Sequence, residues 1–330
     1  AGVGIEAAAA QDELLARVET WQIPVAVTPK TKGHFPESHP LFAGCFTAYG
    51  DNPLRQALSE CDLVIGAGLD SVDFVTSAWE INVPVINFNL AGADDPALKP
   101  LAAIDGDLGK LLTMIRRYRQ PDATGLERAA HLRTQIAKAL RTPFPHKPGT
   151  IKLHDFIAAL QEAAPEKTAV TVDVGAFKLV FLQQWQTEQP KSLFVSNGLS
   201  AMGYALPGAL AIKLAQPERP VAAIAGDGAL LMYAGELETV ARCGKPLVIL
   251  VVVDEALSLI RLKQLRNDVP IHGTEFGHTN FAALAQAFGL AYRLVDGVET
   301  AVSTLQNAFH LQNPVLVEVR IDNIEYDHFK

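Results

Sequence analysis

Leu247–Val253 reads LVILVVV, an unbroken apolar run rich in β-branched side chains. A strand with no polar face must be covered on both sides, so it belongs in the middle of a parallel sheet packed between helices. The run is far too short to span a bilayer, and no longer apolar run occurs in the chain. Less uniformly apolar strands recur at Pro24–Thr28, Leu63–Ile65, Pro84–Phe88, Ala169–Val174, Leu193–Ser196, Val221–Ala225 and Pro314–Ile321. Between them lie segments with helical spacing: Gln11–Trp21, Leu108–Arg117, Gly125–Leu140, Lys152–Ala163, Leu206–Leu214, Leu230–Cys243, Ala256–Leu265, Phe281–Phe288 and Val298–Phe309. The alternation predicts an α/β protein of two successive doubly wound domains, with mainly parallel sheets flanked by helices.

The boundary is marked by Arg141–Thr150, RTPFPHKPGT, whose three prolines and glycine suit a linker. We expect a Rossmann-like domain over 1–141, a linker over 142–150 and a second α/β domain over 151–330. In the first domain Pro29–Gly44 is a Pro- and Gly-rich loop. The opening AGVGIEAAAA reads as the end of a buried strand or the turn after it, with further sequence expected upstream of Ala1. From Phe281 onward the expected order is helix, helix, strand.

Net charge is −8 and no basic tract is present, so a sequence-independent grip on nucleic acid is not expected. Neither a membrane partner nor a targeting segment is indicated. Cys45, Cys61 and Cys243 are scattered without CxxC spacing, which suits reduced thiols in the cytoplasm. Gly66-Ala67-Gly68-Leu69-Asp70-Ser71 follows a strand but lacks the third glycine of a dinucleotide fingerprint. A turn is the better reading, and no nicotinamide site is expected.

Three segments end strands with unusual residues: Asp173-Val174-Gly175-Ala176-Phe177, Gly226-Asp227-Gly228-Ala229 and Asp254-Glu255-Ala256. In open α/β sheets, ligands lie beyond such carboxyl ends. Gly226 and Gly228 permit a tight turn, and the amides of the helix beginning near Leu230 favour an anion such as phosphate. Carboxylates beside a phosphate need a cation between them, and Mg²⁺ bridges a few carboxylates to phosphate oxygens. Asp227 and Asp254 therefore look like a Mg²⁺–diphosphate clamp. The plainer reading is that GDG is a turn and Asp254 an N-cap; their placement after two strands with one helix between favours the clamp.

These motifs, with SNGLSAMGYALPGALAIKLA at Ser196–Ala215, VTVDVGAFK at Val170–Lys178 and TPKTKGHFPESHPLFAG at Thr28–Gly44, resemble the middle and C-terminal domains of thiamine diphosphate (ThDP) enzymes of the acetolactate synthase/pyruvate decarboxylase group. The resemblance covers essentially the whole chain. It implies Mg²⁺ ligation by the side chains of Asp227 and Asp254 and the carbonyl of Ala256. It implies a ThDP site formed by Gly175, Ala176, Phe177, Ser200, Ala201, Met202, Gly226, Asp227, Gly228, Ala229, Asp254, Ala256 and Leu257. Met202 would hold the cofactor bent, and the Ser200 carbonyl would face its amino group. The chemistry implied is lyase or carboligase action on a 2-oxo acid, through a carbanion at C2 and an enamine.

Two residues depart from the pattern. Asp254 stands where Asn is usual, and Phe177 where acetolactate synthases tend to have His, which argues against a close acetolactate synthase. The activating glutamate of the family lies on an N-terminal pyrimidine-binding domain outside this chain, so no catalytic residue is assigned. Glu236 and Glu238 are read as a solvated or interdomain face. The missing domain is expected from a neighbouring subunit of a homodimer or homotetramer, and the chain alone is expected to catalyse little. FAD on the middle domain is left open but not favoured. The competing reading is a non-catalytic relative that binds a nucleotide or a partner protein. Arg261 is weighed as a partner for a substrate carboxylate against a place on a solvated helix face.

Overall fold

The computed structural model describes residues 1–47, 53–70, 81–90, 98–115, 121–141, 144 and 147–329. The chain divides into two compact units, Ala1–Arg141 with Gln186–Pro190, and Thr142–Trp185 with Lys191–Lys330.

In the first unit the strands are β1 (Val25–Val27), β2 (Phe42–Cys45), β3 (Val64–Ala67), β4 (Val85–Asn89) and β5 (Ala102–Asp105). β1 pairs in parallel with β2, and β3, β4 and β5 form a parallel sheet in that order. The helix Gln11–Trp21 buries Leu14, Val18 and Trp21, the stripe that its spacing predicts. The predicted helix at Leu108 runs to Met114; Arg116 and Arg117 lie outside the described residues, as does Ser71. β2 sits within the predicted loop: its four residues are all buried, but flanking Pro and Gly hide so short a strand. The opening segment contains a short helix, Gly4–Ala7, rather than a strand end. There Gly4 lies against the turn after β3, where a Cβ on Gly4 would come within 2.6 Å of the Gly68 Cα, and Gly68 has φ +66°. Close backbone approach accounts for both glycines.

The second unit contains β6 (Ala169–Val172), β7 (Leu193–Val195), β8 (Val221–Gly226), β9 (Val248–Val253), β10 (Ala291–Val295) and β11 (Val315–Arg320). They form one sheet in the order β10-β11-β9-β8-β6-β7, with every pairing parallel. The LVILVVV run supplies β9, central and buried along its whole length. On one face Ile249, Val251 and Val253 join a core with Ala223, Ala225, Leu237, Val240, Phe281 and Leu316.

Two expectations are corrected here. From Phe281 the chain runs helix, strand, helix, strand: β10 lies between the helices Phe281–Ala287 and Val298–His310. β10 reads AYRLV and is an edge strand with Arg293 exposed, so it needs no apolar run. The predicted helix Leu230–Cys243 is two helices, Asp227–Met232 and Glu236–Cys243, interrupted over Tyr233–Gly235. The second stops at Gly244, φ +60°, a left-handed cap. Similarly, the helix after Asp254 begins at Ser258. Among the described residues no helix is long and apolar enough to cross a membrane.

Candidate functional site

From β6 the chain crosses to β7 on one side, and from β8 it crosses to β9 on the other. The connections leaving β6 and β8 diverge, which opens a crevice beyond the carboxyl ends of those neighbouring strands, where ligands of doubly wound sheets sit. Gly175–Phe177 flank it from β6 and Gly226–Ala229 from β8; Asp254–Leu257 follow β9 next door.

Asp227 opens its helix directly after β8 and is buried. Its Oδ1 accepts from its neighbour Gly228 N–H at 2.7 Å, and its Oδ2 accepts from Glu255 N–H at 2.8 Å. Glu255 reaches it from a left-handed conformation, φ +57°, uncommon for a residue with a side chain. Asp254 Oδ1 accepts from Ala256 N–H at 3.1 Å and its Oδ2 from Ser258 Oγ at 2.7 Å. Those contacts hold the turn into the next helix, but Asp254 is not its N-cap as the plainer reading had it: the cap is Leu257, without a side-chain bond. Nor do they exhaust a carboxylate, whose oxygens carry about four acceptor sites. Burial raises the pKa of Asp227 and of Asp254 above the ordinary aspartate value, and the charge of Asp227 raises Asp254 further.

The expected ligand Ala256 forms an isolated antiparallel bridge with Glu275. Its hydrogen bonds run from Leu257 N–H to Thr274 O and from Phe276 N–H to Glu255 O, leaving the Ala256 carbonyl out of the pairing. Among the described residues no group of three or more His, Cys, Asp or Glu is set to hold a metal. A cation here would have two carboxylates, with its remaining ligands drawn from carbonyl, phosphate and water oxygens, a habit of Mg²⁺. The fit is electrostatic: two like charges buried beside each other are unfavourable without a cation, and the nearby Arg261 is bound in a bidentate pair to Asp327. That pair also answers the sequence question over Arg261, whose partner is a carboxylate of the protein itself.

Other predicted residues gather around the same point. A Cβ on Gly228 would lie 3.1 Å from Leu257 Cδ2 and 3.6 Å from Met202 Cε, so Met202, Gly228 and Leu257 meet. Phe177 is buried, and its ring occupies the space a side chain would need at Gly175 (2.3 Å) and at Gly226 (3.1 Å). It wedges the two loops of the crevice together from carbon surface. Ser200 and Ala201 are exposed, and Ser200 is left-handed, φ +49°. Ala229 is buried beneath the turn.

Three further residues near the crevice were given no role by the sequence reasoning. Asp173 is fully buried and accepts from the backbone of Gly203 and Ala205; Lys178 reaches Ser196 and Asn197. Tyr233 packs where a Cβ on Gly203 would stand, 1.8 Å away. The signal for Asp173 was its position at a strand end; nothing marked its partners. Glu236 and Glu238 are exposed on the helix that follows, Glu238 pairing with Arg242 at 3.0 Å, as a solvated face would have them.

Residues 173–319 match the family described as thiamine pyrophosphate enzyme, C-terminal TPP binding domain, and residues 1–115 match thiamine pyrophosphate enzyme, central domain. A probable acetolactate synthase large subunit of Methanocaldococcus jannaschii is 30% identical over 98% of this chain and 57% of its own length. The acetolactate synthase isozyme 1 large subunit of Escherichia coli is 28% identical over 92% of this chain and 55% of its own. The chain thus spans a little over half the length of these relatives.

Proposed function

The chain belongs to the thiamine pyrophosphate enzyme family, of which it carries the central and C-terminal domains, and from that premise we propose that its second unit holds ThDP through Mg²⁺ in a lyase or carboligase acting on a 2-oxo acid. One observation carries the reading. Asp227 and Asp254, at the ends of the adjacent strands β8 and β9, are brought together beside the crevice that Gly175–Phe177 close from the other side.

ThDP, when bound, supplies the electron sink for decarboxylating a 2-oxo acid. The residues of this chain bind and orient. Asp227, Asp254 and the Ala256 carbonyl would ligate Mg²⁺; Gly228 and Ala229 would present backbone to the diphosphate, facing Gly175–Phe177. Phe177 brings no donor, so contacts on that side would rest on backbone amides. Met202 and Leu257, which meet over Gly228, form the apolar rest that would keep the cofactor bent and water away. The Ser200 carbonyl sits on an exposed loop, where it would accept from the amino group. A pyrimidine-binding domain from a neighbouring subunit would complete the site.

The test is a titration of ThDP at fixed Mg²⁺ and of Mg²⁺ at fixed ThDP, by calorimetry, on the full polypeptide as its source makes it. Wild type is expected to bind ThDP only when Mg²⁺ is present. Asp227→Ala is expected to weaken that binding by two orders of magnitude or more, about 3 kcal/mol for a lost charged ligand. Metal-independent binding, or an Asp227→Ala protein that binds as wild type does, would rule the clamp out and return attention to a nucleotide- or partner-binding role.

A further inference from the structure

The loops that would face the two ends of ThDP, Gly175–Phe177 and Ser200–Met202, come from distant parts of the chain, and two buried charges join them. Asp173, 1% exposed at the end of β6, accepts from Gly203 N–H (2.9 and 3.1 Å to its two oxygens), from Ala205 N–H (3.1 Å) and from its neighbour Val174 N–H (2.8 Å). On the far side of Gly175–Phe177, Lys178 is also buried. Its ammonium donates to the Ser196 carbonyl at 2.5 Å and to Asn197 Oδ1 at 2.7 Å. The segment Ser196–Ala205 is therefore gripped at its beginning by Lys178 and at its end by Asp173.

Between the grips the backbone is unusual. Gly198, Ser200 and Gly203 are all left-handed, with φ +82°, +49° and +89°. Glycine adopts such a conformation freely, but at Ser200, which carries a side chain, it persists only where the surroundings over-determine it. Residues 198–201 are exposed and give the core nothing, so core packing is not what holds them. Charge-assisted hydrogen bonds from buried groups are strong enough to do so.

We propose that Asp173 and Lys178 are positioning residues, a two-point staple that makes the 173–178 and 196–205 segments one rigid piece. The spacing between the groups that would meet the diphosphate and those that would meet the aminopyrimidine is then fixed before the cofactor arrives. The purpose of the staple rests on the ThDP reading; its existence as a mechanical link does not.

The experiment compares Asp173→Asn, Asp173→Ala, Lys178→Arg and Lys178→Met with wild type in the full polypeptide. Amide hydrogen exchange is read without cofactor, and ThDP affinity at saturating Mg²⁺. Asp173→Ala and Lys178→Met should accelerate exchange across 197–205 by about tenfold or more, since each removes more than one charge-assisted bond and one alone accounts for about that factor. Protection in β8 and β9 should stay as in wild type, and ThDP affinity should fall by a similar factor. Asp173→Asn and Lys178→Arg, which keep an acceptor and a donor, should recover part of both. Unchanged exchange across 197–205, or acceleration spread evenly over β6, β8 and β9, overturns the staple. Wild-type protein that binds no ThDP overturns the functional reading and the purpose of the staple with it. Because exchange is read without cofactor, that failure is distinguishable from failure of the link itself.

Discussion

Charges buried within each unit decide how single residues matter here. In the first unit Lys32 and Glu37 pair at 2.8 Å with both side chains almost wholly buried. Burial raises the Glu37 pKa against the pull of Lys32, so the pair sits where desolvation is felt. Replacing Lys32 by Met should destabilise the unit by about 3–5 kcal/mol, because it strands Glu37. The double replacement Lys32→Met with Glu37→Leu should return most of that loss. Urea unfolding of the two variants checks both; a Lys32→Met protein as stable as wild type would mean the pair is not load on the fold. In the second unit Glu325 accepts from Leu153 N–H at 2.9 Å through each oxygen. Burial, with a smaller push from Asp155, raises its pKa from 4.5 to about 7. A carboxyl whose folded pKa is raised binds its proton more tightly in the folded state. Its contribution is complete below about pH 4.5 and is lost as pH rises through about 7. Glu325→Gln, which stays neutral, should remove up to about 3 kcal/mol of that decline. Unfolding free energies at pH 5 and pH 8 should therefore draw together in the variant. Equal slopes in wild type and variant would show Glu325 titrating normally.

At the scale of elements, the segment after β8 is set by Gly203 as much as by its own residues. Tyr233 ends the helix Asp227–Met232 and lies against Gly203, whose φ is +89°. Gly203→Ala would meet both a forbidden backbone conformation and the Tyr233 ring. It should destabilise the second unit by about 2 kcal/mol and lower ThDP affinity. Tyr233→Ala in the same background should relieve the ring clash and leave only the backbone penalty, measurable as partial recovery of the thermal midpoint. The sequence made this region half legible. The apolar strands β8 and β9 and the GDG turn stood out because burial on both faces leaves an uninterrupted pattern. The break over Tyr233–Gly235 did not, since Leu230, Leu237 and Val240 keep helical spacing across it. β10 and β2 were missed for the opposite reason: an edge strand and a four-residue strand bury too little to impose a pattern. Of the candidate site, Asp227, Asp254, Met202 and Leu257 could be proposed from motifs. The grip of Asp173 on Gly203 and Ala205 could not, because its partners are backbone amides far along the chain.

For the whole molecule the question is what covers the rim of the crevice. Leu199 is wholly exposed, Met232 is 63% exposed, and Leu231 and Tyr233 are more than a third exposed. All four lie on the two segments that frame the proposed cofactor site, the 196–205 loop and the stretch after Gly226. Scattered apolar residues on a surface need no explanation, but several on the margin of one site point to a partner. The partner proposed above is the pyrimidine-binding domain of a neighbouring subunit, which would bury this rim and the cofactor together. Leu199→Asp combined with Met232→Glu touches side chains that are mostly exposed in the unit, so the unfolding free energy of the dissociated protein should change by no more than surface substitutions do, about 0.5 kcal/mol. Assembly should weaken by at least a hundredfold, two buried carboxylates at about 1.4 kcal/mol per tenfold being ample for it. ThDP affinity should fall with it and return at protein concentrations high enough to restore assembly. Sedimentation velocity across a concentration series, run with and without ThDP and Mg²⁺, reads assembly and its coupling to the cofactor, and thermal unfolding of the dissociated protein reads its stability. If the double variant assembles as wild type does, the rim faces solvent, and the site must be completed from within the same polypeptide.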